Sequence, residues 1–156
     1  MSERPFANWD SGKSVDFVPA CRVYHDADQT IPNDTATVLS FNKERFDTDG
    51  IHDNTTNNSR LTCKTAGIYQ ITANVLFDQN AVGTRSLRIL RNGSVRIGIS
   101  MVDATAATAL GLVVTTIYEL AVNDYVEVAV RQASGGNLAV TATLRMSPEF
   151  MMVKVG

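Results

Sequence analysis

The chain has 156 residues, of which 44% are hydrophobic and 19% charged, and its formal net charge is −2. This length suits one domain with a well-filled core rather than two, and the apolar content is too high for a disordered chain. No run of about 18 apolar residues could span a membrane, and the weak acidic balance gives no electrostatic reason to expect nucleic acid as a partner.

The first 20 residues lack the regular pattern of the rest of the chain. Polar and small residues interrupt them, and their large apolar side chains, Phe6, Trp9 and Phe17, are scattered. No basic patch followed by an apolar stretch marks a secretory signal peptide. We therefore predict an extended N-terminal arm over residues 1–20 that anchors or docks, either on its own domain or on a partner.

From residue 21 onwards apolar and polar residues alternate. Residues 67–77, 125–132 and 137–146 each carry apolar side chains at every second position. Successive side chains of a strand point to opposite faces, so each segment can bury one face and expose the other. This pattern is typical of antiparallel sheets with one solvated face, and it predicts one domain over residues 21–156.

Turn residues separate these segments. Asn92-Gly93 lies between two apolar alternations and is typical of a type I′ hairpin turn. The polar residues 47–60 and the Ala/Thr-rich residues 103–109 are predicted loops. Because many strands with regular turn signals occur and no segment has helical periodicity, the sequence predicts a sandwich or barrel.

The sequence contains no recognisable catalytic constellation. Its two histidines, His25 and His52, do not lie in a nucleophile motif, and no phosphate-binding or dinucleotide fingerprint is present. We predict neither an enzyme nor a bound cofactor. Cys21 and Cys63 are too few for a disulfide framework, so two buried thiols are expected, although the sequence leaves their pairing open.

Two polar clusters are candidate binding sites. Asp47, Asp49, His52 and Asp53 lie in the longest predicted loop, where polar turn chemistry and a calcium site are the two interpretations; the spacing lacks the Glu of an EF-hand. Four arginines surround the Asn92-Gly93 turn. They form either a solvated or inter-subunit face or a site for an anionic ligand such as a glycan or phosphate. These arginines are Arg85, Arg88, Arg91 and Arg96.

Landmarks in residues 20–155 resemble the globular head domain of complement component one q. Residues 60–69 are similar to that family's strand-turn-strand, and the central hairpin, the Asn-Asp turn and the closing strand follow in the family's order. The residues that carry the resemblance are Leu61, Cys63, Gly67, Tyr69, Asn92, Gly93, Asp124 and Phe150. Ile71 and Ala73 replace aromatic residues of the family signature, which favours a bacterial or bacteriophage branch.

The resemblance implies an all-β fold, a ten-stranded antiparallel jelly-roll sandwich shared with tumour-necrosis-factor-like ligands, which assembles as a compact homotrimer. No collagen-like stalk precedes the domain, so complement activity is not implied. A surplus of apolar residues also favours contact with a neighbouring subunit. These residues are Tyr69, Val75, Phe77, Val113, Val114, Tyr118 and Met151.

From these observations we expect a non-enzymatic, trimeric structural or adhesive protein on a virion surface, as a capsid decoration, head-fibre knob or tail-fibre knob. Its N-terminal arm would bind capsid or fibre proteins, and the domain would face a cell-surface glycan or receptor. The alternative is a bacterial surface or secreted module that leaves the cell by a non-classical route. Its loops would recognise carbohydrate or protein.

Overall fold

The alternating pattern folds into twelve strands in the computed structural model, which describes residues 17–156. Among these residues no helix is long and apolar enough to cross a membrane. The strands are β1 (Ala20–Tyr24), β2 (Gln29–Ile31), β3 (Thr37–Val38), β4 (Lys43–Asp47), β5 (Arg60–Thr62), β6 (Gly67–Phe77), β7 (Thr84–Arg91), β8 (Val95–Asp103), β9 (Leu110–Leu120), β10 (Tyr125–Gln132), β11 (Leu138–Val140) and β12 (Glu149–Lys154).

Two antiparallel sheets form a jelly-roll sandwich, as predicted. The larger sheet has the order β2-β11-β6-β12-β1-β4, with β9 on the free side of β6, and the smaller has the order β3-β10-β7-β8, with β5 also paired to β10. Ten strands were expected, and the structure has twelve. The number is higher because two short strands occupy a place where one long strand could pair. β3 and β5 both pair with the same side of β10, and β11 and β12 both pair with the same side of β6.

The core lies between the two sheets and contains four of the eight motif residues. Leu61, Cys63, Tyr69 and Phe150 are fully buried, and the ring of Phe150 packs 5.5 Å from that of Phe41. Burial of this kind is the main favourable contribution to folding. These four motif residues therefore contribute to the fold by packing.

Gly67 is required by close packing. A Cβ atom at this position would lie 2.5 Å from the carbonyl oxygen of Gly156 and would also clash with the side chain of Lys154. Gly67 begins β6, and the backbone N–H of Ile68 donates to the same Gly156 oxygen at 2.9 Å. The C-terminus thus packs against the start of β6, where a side chain would displace it.

The prediction of one continuous strand over residues 137–146 is wrong, because β11 ends at Val140. The backbone N–H of Ala142 donates to the carboxylate of Asp28 at 2.7 Å, and Arg145 adopts a positive φ of 65°. These features turn the chain out of the ladder. Leu144 is consequently 80% exposed, although its sequence position predicted an inward side chain.

Two turns are tied together by one carboxylate. Asn92 and Gly93 have φ angles of 50° and 76°, which confirms the type I′ turn. The Asn92 side-chain amide donates to Asp124 Oδ1 at 2.8 Å, and the Ala121 N–H donates to Asp124 Oδ2 at 3.0 Å. In return, the Tyr125 N–H donates to Asn92 Oδ1 at 3.0 Å. The β7–β8 and β9–β10 turns are therefore held as one unit.

Replacing Asp124 by Asn should destabilise the chain by about 1 kcal/mol at pH 7, since the amide nitrogen cannot accept the Ala121 bond. The Asn92 amide, followed by the Ala121 N–H, lowers the pKa of Asp124. Its stabilisation is therefore complete above about pH 4, the unfolded value, and is lost as pH falls through the lower folded pKa. Urea unfolding of wild type and D124N between pH 7 and pH 2 measures this difference. A gap that persists unchanged at pH 2 would contradict the assignment.

Candidate assembly and binding surfaces

The outward face of the β6–β9 ladder carries three large apolar side chains that are exposed. Val113 and Ile117 on β9 are 60% and 65% exposed, and Ile68 on β6 is also exposed. Val113 lies opposite Asn74, and Ile117 lies opposite Gln70. We call the surface formed by Ile68, Val113 and Ile117 the apolar face. Large apolar side chains that are exposed on a sheet exterior are typical of a protein contact site.

The register places a buried ion network beside the apolar face. Glu149 pairs with Asn74, which pairs with Val113, yet Glu149 is only 1% exposed. Arg45 Nη2 lies 2.6 Å from Glu149 Oε1, and Arg22 Nε lies 3.2 Å from Oε2. The Arg45 guanidinium also stacks 4.1 Å from the centre of the Tyr24 ring. The Glu149 carboxylate therefore partly balances the positive charges of Arg22 and Arg45 on the exterior of the larger sheet.

A cavity of about 190 Å³ lies beside Glu149. Its lining includes Tyr24, His25, Arg45 and Leu144. Both nitrogens of Arg45 that face the site, Nε and Nη2, are directed to the Glu149 carboxylate. The charges of Arg45 and Glu149 in this cavity therefore interact mainly with each other.

The acidic loop residues are used to hold their own loop. The carboxylate of Asp47 accepts the N–H groups of Asp49, Ile51 and His52 at 2.9–3.1 Å. Asp53 accepts the N–H groups of Thr55 and Thr56, and these bonds lower its pKa to about 2. Such Asx contacts are typical of polar turns.

The alternative interpretation of this loop, a calcium site, is not supported by the arrangement of these side chains. The Asp49 carboxylate accepts the hydroxyl of Thr65 at 2.9 Å, away from the bonds of Asp47 and Asp53. Within residues 17–156 no group of three or more His, Cys, Asp or Glu side chains could hold a metal ion. Of the two interpretations of this loop, the structure favours polar turn chemistry.

The histidine side chains contact groups of the protein itself, and the cysteine side chains are buried. His52 is buried and contacts Glu44 at 3.1 Å and the Asn58 carbonyl at 3.1 Å, while His25 Nδ1 contacts the carbonyl of Ala27. Cys21 and Cys63 are both free and buried. Burial raises the pKa of each thiol, which keeps it protonated and unreactive.

The four arginines predicted around the hairpin do not form one cluster. Arg85 points inward, is fully buried, and donates to the carbonyls of the β6–β7 loop, including that of Val82 at 2.8 Å. Arg91 binds Asp124 at 3.3 Å. Only Arg88 and Arg96 lie on the outward face of the smaller sheet, where Arg131 joins them by register. We call Arg88, Arg96 and Arg131 the arginine line.

Of the three predicted anchor residues, Phe6 and Trp9 lie outside the described residues. Phe17 is 80% exposed, which suits a contact residue. The chain is already bound to the domain just after it: the carbonyl of Val18 accepts the Thr48 hydroxyl at 2.7 Å, and β1 begins at Ala20. The final residue assigned to the arm therefore belongs to the sheet.

Several expectations about surplus apolar residues are wrong. Tyr69, Val75, Phe77 and Val114 are buried in the core rather than available to a neighbour. The exposed Ile117 and the buried Glu149 were missed. Ile117 could have been found from its position, since it shares the face of Val113 in the alternation of β9. Glu149 could not, because its arginine partners are distant in sequence.

Neither a protein-family model nor a curated protein matches the chain. Solved structures match its fold. Murine APRIL at pH 5.0 has a TM-score of 0.69 and 12% identity, with 89% of this chain and 100% of that chain covered. The globular domain of zebrafish complement 1qA has a TM-score of 0.62 and 15% identity, with 88% and 98% covered. The chain thus has the fold shared by tumour-necrosis-factor-like and complement-one-q-like domains.

Replacing Glu149 by Gln should destabilise the chain by about 2 kcal/mol, because two guanidinium groups lose their anionic partner at a buried site. Glu119→Gln, an exposed change on β9, is the matched control and should have little effect. Urea unfolding measures both. Equal stability of E149Q and wild type would mean that the ion network does not support the fold.

Proposed function

We propose that the chain is a non-enzymatic, homotrimeric structural or adhesive protein that assembles through its apolar face. The observation that carries this proposal is the exposure of Val113 and Ile117, which are 60% and 65% exposed on a face whose alternation should be polar. Burying apolar side chains against a second copy removes them from water at about 25 cal/mol per Å². The number three is supported by the family resemblance of the sequence and by the shared fold.

The edge position of β9 favours this contact. β9 pairs with β6 along its whole length, and its other side has no strand in the larger sheet. Edge strands are commonly covered by another chain or element. The Thr72 and Thr115 hydroxyls bond to each other at 3.0 Å, so the centre of this face is polar but already satisfied. A neighbouring copy could therefore cover it without leaving these groups unpaired.

The non-enzymatic part of the proposal is supported by the surroundings of the reactive side chains. Both histidines are bound to structural partners, and both cysteine thiols are buried. In the cavity beside Glu149, this carboxylate is paired with Arg22 and Arg45. General acid or nucleophilic catalysis requires a base that is free to exchange a proton with a reacting group, whereas these side chains are bonded to partners within the protein.

For the biological setting we propose a bacteriophage virion, with the arm fixing the trimer to capsid or fibre proteins and the sandwich facing outward. Support comes from the scattered aromatic residues of the arm and from Phe17, which is exposed where the arm leaves the domain. The second candidate, a bacterial surface or secreted binding module, is favoured by one observation, the arginine line on the outward face of the smaller sheet.

A double substitution, V113E/I117E, should convert the trimer to a monomer, because three copies would then bring six carboxylates into an apolar contact. Light scattering at micromolar concentration should give three times 16.9 kDa for wild type and 16.9 kDa for the variant. Val82→Glu, at an equally exposed valine in the β6–β7 loop, should remain trimeric. A monomeric wild type, or a V113E/I117E trimer, would contradict the proposal.

Removing residues 1–16 should leave the oligomer intact, since all strands of the described residues lie beyond the deletion, and should abolish attachment to the particle, which we assign to the arm. Co-sedimentation of tagged full-length and shortened chains with purified particles lacking the protein measures attachment. Light scattering of the shortened chain verifies its assembly. Attachment of the shortened chain at the wild-type level would remove the arm from the mechanism, whereas a full-length chain that does not attach would favour the second candidate.

A further inference from the structure

The arginine line crosses the smaller sheet obliquely at regular intervals. Arg88 on β7 lies opposite Ala129 on β10 and Ile99 on β8. Arg131 on β10 lies opposite Ser86, which precedes Arg88 by two residues. Arg96 on β8 lies opposite Leu90, which follows Arg88 by two residues. Diagonal neighbours of this kind are about 7–8 Å apart across adjacent strands. The register therefore places three guanidinium groups in a row that runs from β10 across β7 to the edge strand β8.

Most of the charge of this row is not neutralised by the protein. Arg131 binds Asp34, but within residues 17–156 no carboxylate forms an ion pair with Arg88 or Arg96. Nearby arginines behave differently, since Arg60 binds Glu127 and Arg91 binds Asp124, each at 3.3 Å. The chain as a whole has a net charge of −2, so the positive charge of this row is a local feature.

A second, independent feature lies within the row. Ser86 is only 2% exposed, and its hydroxyl has no hydrogen-bond partner; the buried Nε of Arg88 also has none. Ser86 is flanked by Arg131 on β10 and Met101 on β8. Unpaired buried polar groups are costly in a folded protein, and a bound ligand is one of the ways in which they become satisfied.

The three arginines also repel one another. The pKa of Arg88 is lowered, mainly by burial and further by the charges of Arg96 and Arg131. An anion placed along the row would relieve this repulsion and would gain charge-assisted hydrogen bonds from Arg96, which is exposed, and from Arg88 and Arg131, which are half-buried.

We infer that the arginine line binds a linear acidic polysaccharide, a polymer with carboxylate or sulfate groups at regular intervals along its length. A row of cations on an open sheet fits an extended polymer better than a small molecule, which would need a concave site. The row carries no aromatic side chain on which the bases of a single-stranded nucleic acid could stack. Ile99 and Met101 beside it offer apolar surface to the carbon faces of sugar rings.

This inference rests on the proposed adhesive role and names its ligand class, but it does not require the trimer. The apolar face belongs to the larger sheet and the arginine line to the smaller one, so the two surfaces lie on opposite exteriors of the sandwich. If the chain is trimeric, three rows on one particle would strengthen attachment to a single polymer through multivalency.

The test compares the charge-deleting variant R88Q/R96Q with a matched control, K64Q/R145Q. The control removes the same number of charges from the β5–β6 and β11–β12 loops, where both side chains are exposed. The probes are heparin as the sulfated polymer and alginate as the carboxylated one, with neutral dextran and single-stranded DNA for comparison. Titration calorimetry at low salt, followed by a salt series, measures binding.

Wild type and control should bind heparin or alginate and ignore dextran, and R88Q/R96Q should bind about tenfold more weakly, with a shallower salt dependence. The preferred polymer identifies which anion is recognised. The inference is overturned if wild type binds neither polymer, if both double variants weaken binding equally, or if DNA binds more tightly than either polysaccharide.

Two further measurements keep the outcome interpretable. Arg96 is exposed, so the single variant R96Q should fold normally and still weaken binding, even if R88Q/R96Q is unstable. Light scattering on the same samples separates the two proposals. A monomer whose polysaccharide binding falls in R96Q would refute the trimer and leave this inference intact, whereas a trimer that binds no polysaccharide would do the reverse.

Discussion

The ladder between β6 and β9 is the constraint on which the rest of the molecule depends. Eleven consecutive residues of each strand pair in one register, from Gly67 with Leu120 to Phe77 with Leu110. A shift by one residue would move every side chain to the other face. This register therefore decides at once that Tyr69 and Phe77 fill the core and that Val113 and Ile117 face outward.

The two exteriors of the sandwich consequently have different chemistry. The larger sheet carries the apolar face and a carboxylate, Glu149, that is buried outside the core by two arginines. The smaller sheet carries a row of arginines whose charge is largely uncompensated. Apolar surface favours close association with a copy of the chain, whereas guanidinium groups that lack a carboxylate partner favour an anionic ligand that can dissociate. The surfaces proposed for assembly and for recognition therefore lie on different sheets of one chain.

Local signals in the sequence were sufficient for the fold class and for the tightest turns. The Asn92-Gly93 turn depends only on residues that tolerate positive φ, and the alternation of residues 67–77 reproduces β6 from end to end. Residues 137–146 have the same alternation but form a strand only at their beginning. Beyond that beginning, the backbone N–H of Ala142 donates to the carboxylate of Asp28, which is more than a hundred residues away in the sequence. No local pattern records such a competing partner.

The candidate surfaces were only partly predictable for the same reason. Sequence proximity grouped Arg85 with Arg88, yet their odd and even positions on β7 place them on opposite faces. Arg131 joins Arg88 through the β7–β10 register, which local sequence does not specify. The acidic loop had the composition of a calcium site, but the direction of each carboxylate depends on which backbone N–H groups the loop conformation presents.

The central claim is that the outward face of β9 is covered in the assembled protein. Hydroxyl-radical footprinting with residue-level mass spectrometry tests this on two side chains of one type, Val113 and Val82, which are 60% and 58% exposed in the single chain. If copies associate through the apolar face, Val113 will be modified far more slowly than Val82. Equal modification rates for the two valines at a concentration where the protein is intact would contradict the claim.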